Sequence, residues 1–367
     1  MKRMTLRPLI AAAAVAALAQ PALAETAIGQ YLTFSAFGTL GAVRSSTDVA
    51  DYVRERQAKG ATKTPSLLVD SNLGLQLTAK ANDWLSATVQ SLTAERDSDE
   101  LTTRFDWAYV KVTPVENLSA RAGKLLVSNF LVSDSRRIGY ANTALRPSNE
   151  VYGLDLLNNS MTGGDLSYAW HVGGGTLTAG ASYGKSTLGV FDVKKIRNLN
   201  VVWDGDWYTL RVGQTKADPQ VQAVLGPGVH EVYTFNGYGF TVDRSNVLLQ
   251  GEYVQRRSSA AATLIAANAW YLQAGYRMGK WVPYASYGER KAAKSSVVNP
   301  QNTLALGARW DAFKSAALKF QLERIDTKGT GGASFVTSGG SGGSALSSAP
   351  NIAKNVTTLS VAVDFVY

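Results

Sequence analysis

Apolar and polar residues alternate with a period of two along segments of about ten residues, repeatedly, through most of this chain. Val69, Ser71, Leu73, Leu75, Leu77 and Ala79 interleave with Asp70, Asn72, Gly74, Gln76, Thr78 and Lys80. Leu85, Ala87 and Val89 interleave with Ser86, Thr88 and Gln90, and the same pattern recurs at 198–203, 208–213, 270–277, 303–310 and 318–323. Successive side chains of a strand point to opposite faces, so each segment reads as a strand with one apolar face and one polar or small face. No helical period of comparable strength competes. The last nine residues repeat the pattern: Leu359, Val361, Val363, Phe365 and Tyr367 share one register, and Ser360, Ala362, Asp364 and Val366 the other.

The N-terminus says where such strands must fold. Lys2, Arg3 and Arg7 precede an apolar, Ala-rich run from Leu9 to Leu18, and Ala22-Leu23-Ala24 is a small-residue cleavage site. Residues 1–24 therefore read as an export signal, with the mature chain expected to start at Glu25. No later stretch reaches the roughly 20 apolar residues of a membrane helix. If the mature chain spans a membrane it must close into a barrel, because only helices and closed barrels satisfy every backbone N–H and C=O in lipid. A mean hydropathy of −0.07 suits that reading, since half of each barrel strand faces water. Cysteine is absent, which removes the disulfides an exported soluble domain could use. Three of the nine surplus positive charges leave with the signal. The remaining mild surplus contains no basic block of the kind that binds nucleic acid.

Connection lengths sharpen the barrel. Short turn-forming stretches fall at 81–83, 114–117, 173–175, 204–206, 244–246, 278–280 and 312–315. Longer polar segments lie between them, near 45–67, 96–102, 128–160, 186–194, 216–231, 257–267, 289–301 and 326–354. This alternation joins sixteen antiparallel strands, with short periplasmic turns and long extracellular loops. A β-propeller or sandwich does not need it. Trp170, Trp203, Tyr208, Tyr276, Trp281, Trp310 and Tyr367 lie beside the short turns, and Tyr183, Tyr253, Trp270 and Tyr287 near the long-loop ends. That spacing reads as two aromatic girdles at two membrane interfaces.

The fold class expected is thus an all-β transmembrane barrel over residues 25–367. Its register turns Lys111, Arg121, Arg211, Arg277, Arg309 and Lys319 toward the lumen, opposed by Glu252 and Glu323. Charged walls bias ion passage, so a mild preference for anions is expected, against the alternative that these charges are locally paired with acids. Segment 128–160 mixes apolar and charged residues unlike a solvated coil, and adds Arg136, Arg137, Arg146 and Glu150 to the candidate constriction.

At this point the chain resembles the porin superfamily of Gram-negative bacteria, in strand count, loop pattern and C-terminus. Arg146-Pro147-Ser148-Asn149-Glu150-Val151-Tyr152 is similar to an Arg-Pro-Pro-x-Glu-Val-Tyr segment of a less characterised porin-like group, with Ser148 replacing the second Pro. The acidic third-loop signature of enterobacterial general porins is absent. The resemblance implies an inward-folding third loop, a homotrimer in the outer membrane, and passage of small hydrophilic solutes and ions through a lipid-embedded pore. It also implies that Phe365 and Tyr367 belong to the signal read by the barrel-assembly machinery.

Catalysis is not expected. His171 beside a Gly turn and His230 after Gly226-Pro227-Gly228 are the two histidines. Neither a Ser-His-acid site nor a metal site of three or more ligands is visible, and no cofactor is implied. The Gly/Ser stretch 329–348 reads as a flexible extracellular tip. Two rival functions stay open: a channel specific for anions such as phosphate or organic acids, and a non-channel receptor or adhesin barrel.

Overall fold

A computed structural model describes residues 26–54, 57–96, 100–155, 160–188, 191–220, 231–259, 266–292, 298–337 and 352–367. The signal segment, Glu25 and His230 lie outside them. Among the described residues sixteen antiparallel strands form the closed wall, with the short strand Thr26–Ile28 paired to the first of them. They are β1 (Leu32–Ser45), β2 (Asn72–Lys80), β3 (Leu85–Glu95), β4 (Leu101–Val115), β5 (Leu118–Leu126), β6 (Ser160–Val172), β7 (Gly175–Leu188) and β8 (Phe191–Asp204). The second half comprises β9 (Tyr208–Pro219), β10 (Tyr233–Arg244), β11 (Val247–Ser258), β12 (Ala267–Tyr276), β13 (Trp281–Ala292), β14 (Gln301–Phe313), β15 (Ala316–Asp326) and β16 (Asn355–Val366). Each pairs with its neighbour in sequence, and β16 closes the barrel on β1 through pairs such as Val361 with Ala42. Closure leaves no free edge, so the ladders satisfy the backbone in lipid. No described helix is long and apolar enough to cross a membrane.

The alternation assigns the faces. Leu75, Leu77, Leu166, Leu199, Leu210, Leu272, Leu306 and Leu359 are exposed on the outer wall, while the intervening residues face the lumen. Trp281 stacks on Trp310 at 5.6 Å near the short-turn end, and Trp270 lies 5.6 Å from Tyr287 toward the other end. The hairpin joining β6 and β7 needs positive φ at two successive positions, and Gly173 (φ 54) and Gly174 (φ 83) supply it.

The closing strand is tied to the first just past its end. Tyr367 N–H donates to the Ala36 carbonyl at 2.7 Å and its carbonyl accepts from the Ala36 N–H at 2.8 Å. Phe365 lies on the outer wall in a slot over Gly38, packed with Leu73 and Ala316. A Cβ on Gly38 would come within 2.5 Å of that ring, so the close approach requires glycine.

Two expectations differ from what is seen. The segment 186–194 is read as a long loop, but β7 and β8 pair through it: Ser186 with Val193, Thr187 with Asp192, Leu188 with Phe191. Above the lipid belt outward positions become polar, so the alternation fades while backbone pairing continues. In the Gly/Ser-rich connection, residues 335–337 are paired rather than loose. Phe335–Thr337 forms a two-stranded ladder with Ala50–Tyr52 of the first long loop. Phe335 packs edge-on to Tyr52 in a buried cluster with Val43, Ile325 and Val356. The two aromatic rings bring enough apolar area to hold the loops together over the barrel mouth. Residues 338–351 lie outside the described part.

Candidate pore constriction

The long segment after β5 turns into the barrel and runs along its inner wall. Its first residues are caught by β8, β9 and β11. Arg211 donates to the Ser128 and Asn129 carbonyls, Asn198 donates to the Ser128 carbonyl at 3.1 Å, and Glu252 accepts the Leu131 N–H. Phe130 then stacks on Tyr152 at 4.6 Å and meets Phe235 edge-on at 5.1 Å. These rings belong to the largest buried apolar cluster, which includes Leu125, Val151, Tyr233 and Tyr271. A barrel lumen of this size would otherwise hold water. Here the loop's own apolar residues fill one side of it.

The middle of the segment is a short 3₁₀ turn, Gly139–Ala141. Lys319 Nζ donates to three of the segment's carbonyls, those of Gly139 (2.7 Å), Asn142 (2.5 Å) and Ala144 (3.0 Å), and pairs with Asp364 at 2.9 Å. Arg309 Nη1 donates to the Tyr140 and Asn142 carbonyls at 2.7 and 3.0 Å. Irregular backbone leaves carbonyls without ladder partners, and these two cations satisfy them. Gly139 comes so near the wall that an added Cβ would lie 2.0 Å from Asp364 Oδ1.

Arg146 is the centre of the third attachment. Its guanidinium bonds bidentately to Asp70 at 2.6 and 3.0 Å, and also donates to Glu323 (2.5 Å), Ser360 (2.6 Å) and the Tyr52 hydroxyl (2.9 Å). Arg54 reaches the same Asp70 at 3.1 Å. Burial alone would push the Asp70 carboxyl up, but the charges and hydrogen bonds of Arg146 and Arg54 outweigh it and hold it below the usual carboxylate range. Burial alone would lower Arg146; Asp70, Tyr52 and Glu323 reverse that and hold it well above its ordinary value. Asn149 and Glu150 follow in a single helical turn, Asn149–Tyr152. Asn149 donates to the Val53 carbonyl (3.3 Å) and Ser334 Oγ (3.0 Å), and Glu150 accepts from Gln301 (2.6 Å), Thr303 and Ser148 (2.6 Å). The Arg-Pro-Ser-Asn-Glu-Val-Tyr stretch is therefore a clasp that joins three long connections to the wall.

The other side of the lumen is different. Between residues 133–138 and the wall of β3 and β4 lies a cavity lined by Arg54, Arg96, Arg104, Arg136 and Arg137 against Glu95, Asp106 and Asp134. Arg96 pairs with Asp106 at 3.1 Å and Arg136 with Asp155 at 3.1 Å. Below it, Arg121 pairs with Asp165 at 2.6 Å and lies over the Tyr109 ring, with Lys111 opposite it in the ladder. Arg277 meets Asp243 at 2.6 Å toward the short-turn end and is half exposed. Of the residues singled out from sequence, Arg211, Arg309, Lys319, Arg146, Glu150 and Glu323 thus converge on the loop. Arg136 and Arg137 line the cavity, and Lys111, Arg121 and Arg277 lie apart. Sequence reading missed Asp70, Tyr52 and Ser360 in the clasp, and Arg96 and Arg104 in the cavity. Asp70 stood in the polar register ahead of β2, and a charge there was the available signal.

His171 Nδ1 lies 3.1 Å from Thr176 Oγ1 across a hairpin, at an exposed position. Among the described residues no group of three or more His, Asp or Glu could hold a metal ion.

A sixteen-stranded barrel with one lumen side packed by an inward loop and charged side chains along the other has the architecture of an outer-membrane channel. The chain belongs to the Gram-negative porin family, which matches residues 11–330. Its fold is similar to OmpF of Salmonella typhi (12% identity, TM-score 0.62), with 94% of this chain and 100% of that one covered. It is also similar to an anion-selective porin from Comamonas acidovorans (15%, TM-score 0.58, 92% and 99% covered). The outer-membrane channel DcaP of Acinetobacter baumannii matches likewise (11%, TM-score 0.56, 94% and 100% covered). No curated protein sequence matches the chain. The protein is an outer-membrane diffusion channel.

Proposed function

We propose that the segment 128–160 forms the constriction of this channel, and that small hydrophilic solutes and ions pass between residues 133–138 and the wall of β3–β6, anions more readily than cations. The observation that carries this is the cavity where Arg104 and Arg137 stand beside the Arg96–Asp106 pair, Arg54 and Arg136 being enclosed in pairs with Asp70 and Asp155. A like-signed excess on a low-dielectric wall raises the local concentration of the opposite ion. The fold shared with a porin named as anion-selective agrees with it. Passage is passive: the loop limits size and the wall charge biases which ions enter. In a planar bilayer under a KCl gradient, the reversal potential should have the sign of chloride preference. A clear cation sign overturns the proposed preference. Saturable block by phosphate or an organic acid would instead mark a channel specific for that anion.

The assembled unit proposed is a homotrimer, in line with a related fold that has been described in a trimer form. Phe365 and Tyr367 are proposed as the segment read by the barrel-assembly machinery, which suits a Tyr367 that pairs with Ala36 across the seam and sets its ring 6.1 Å from that of Phe34. Deleting 365–367 should leave exported protein without the heat-modifiable band of a folded barrel.

A further inference from the structure

Behind the helical turn Asn149–Tyr152, the lumen face of β11 and β13 carries two enclosed arginines. Arg256 on β11 pairs in the ladder with Ala267 of β12, and Arg290 on β13 pairs with Ala269 of the same strand. They are 0 and 2% exposed, whereas Arg257 and Lys291, one residue further along each strand, are exposed on the opposite face. The two alanines between them are small and buried, so the long side chains converge over β12. The inward segment shows how closely they converge. The Leu154 carbonyl accepts from Arg256 Nη1 at 2.9 Å, and a Cβ on the preceding Gly153 would lie 3.8 Å from Arg290 Nη1. Like charges brought together in a low-dielectric enclosure repel, and each of these two is near enough to act on the other.

The acids that face the pair are shared or engaged. Arg256 faces Asp155, which also pairs with Arg136 at 3.1 Å. Arg290 faces Glu150, whose oxygens accept from Gln301, Thr303 and Ser148. Two carboxylates thus stand among three arginines. The hydrogen bonding is one-sided in the same sense. Arg290 donates its Nε–H to the Asn299 carbonyl at 2.8 Å, while its Nη2 has no partner among the described residues. The same holds for Asn299 Nδ2 and for the hydroxyl of Tyr233, a fully buried neighbour of Arg256 on β10. All three are donors, and their common complement is an acceptor. A water would bring two hydrogens that themselves need acceptors. An anion brings none and answers the surplus charge.

We propose that Arg256 and Arg290 hold a small inorganic anion, of the size and charge of chloride, between the barrel wall and residues 153–154, with Asn299 and Tyr233 as flanking donors. Both guanidiniums are enclosed, so this is a resident ion and not one in passage. It cancels the repulsion that would otherwise push Gly153 and Leu154 off β11 and β13. The anion of the medium therefore sets how firmly this end of the inward segment is held, whatever ions the channel prefers.

The test follows the lifetime of the whole folded protein in detergent, held at one temperature near its unfolding midpoint. The medium is sodium chloride or sodium gluconate of equal ionic strength, gluconate being too bulky for the enclosure. The heat-modifiable band of the folded barrel should persist about fivefold longer in chloride, the factor expected when the ion stands at ~four times its Kd. Arg290→Gln should abolish that ratio. Asn299→Asp sets a carboxylate beside Arg290 and should persist as long in gluconate as in chloride. In crystals grown in sodium bromide, an anomalous peak should lie against both guanidiniums. Equal wild-type lifetimes in the two media overturn the proposal, and that comparison needs no variant; a bromide peak would then mark an adventitious ion only. A chloride effect that survives in both variants overturns it too, because the ion then binds elsewhere, as does a bromide map without a peak at the two arginines.

Discussion

On the wall formed by β9, β14 and β15, the inward cations Arg211, Arg309 and Lys319 spend their hydrogen bonds on backbone carbonyls between Ser128 and Ala144. On the wall formed by β3–β6, Arg104 lines a cavity, Lys111 faces the lumen, and Arg121 pairs with a single carboxylate. The residue types match; the surroundings differ. Where a loop lands, a cation becomes a buried donor that fixes irregular backbone. Away from that enclosed stretch it lines a cavity or pairs with a carboxylate of the wall, as Arg121 does with Asp165. A count of lumen charges therefore overstates what a permeating ion meets, because several of the basic residues are already enclosed in protein.

This contrast can be broken most forcefully at the clasp. Arg146→Ala leaves Asp70 and Glu323 buried without their main partner, and removing one member of such a pair costs about 3–5 kcal/mol. Chemical denaturation should show that loss, and single-channel records should show larger, noisier currents as the loop leaves the wall. Unchanged stability and conductance would mean that the segment is held elsewhere. Asp70→Asn keeps the shape and should cost less, because Glu323 and Ser360 still hold the arginine.

Acid offers a milder route to the same loosening. The Asp70 carboxyl is held below its unfolded value, ~3.9. Its stabilising contribution is therefore complete above about pH 4 and fades as pH falls through the lower folded value. Current noise should be flat from neutral pH to about pH 5 and rise below about pH 4. A transition centred near neutral pH would point to another group.

The smallest structural effect should come from the open side. Arg104→Gln with Arg137→Gln should change stability by no more than ~1 kcal/mol, since partly exposed ion pairs contribute little. It should nonetheless move the reversal potential toward cation preference. A reversal potential unmoved by that double variant, with conductance intact, would place the selective charges outside this cavity.

Much of the fold was legible because barrel strands announce themselves locally. The register of 359–365 assigned Leu359 to the outer face and Ser360 to the lumen, and those faces are the ones they occupy. The turn at Gly173-Gly174 was readable from composition, since only glycine takes two successive positive φ values without strain. The segment 186–194 was not, because strand pairing above the membrane needs no apolar face. Within the candidate site, Arg146 and Glu150 stood out as an unusual motif, yet nothing local says that the arginine meets Asp70, Glu323 and Ser360, 76, 177 and 214 positions away.

By itself, then, the sequence determined a closed barrel, its sixteen strands and which face of each meets lipid, because a two-residue period is a property of neighbouring residues and lipid tolerates no unpaired backbone. Only the tertiary structure decided which cations line a cavity and which are enclosed. That depends on where a connection of some thirty residues settles in the lumen, and its position is set by contacts between residues that are distant in the chain and adjacent only once the barrel has closed.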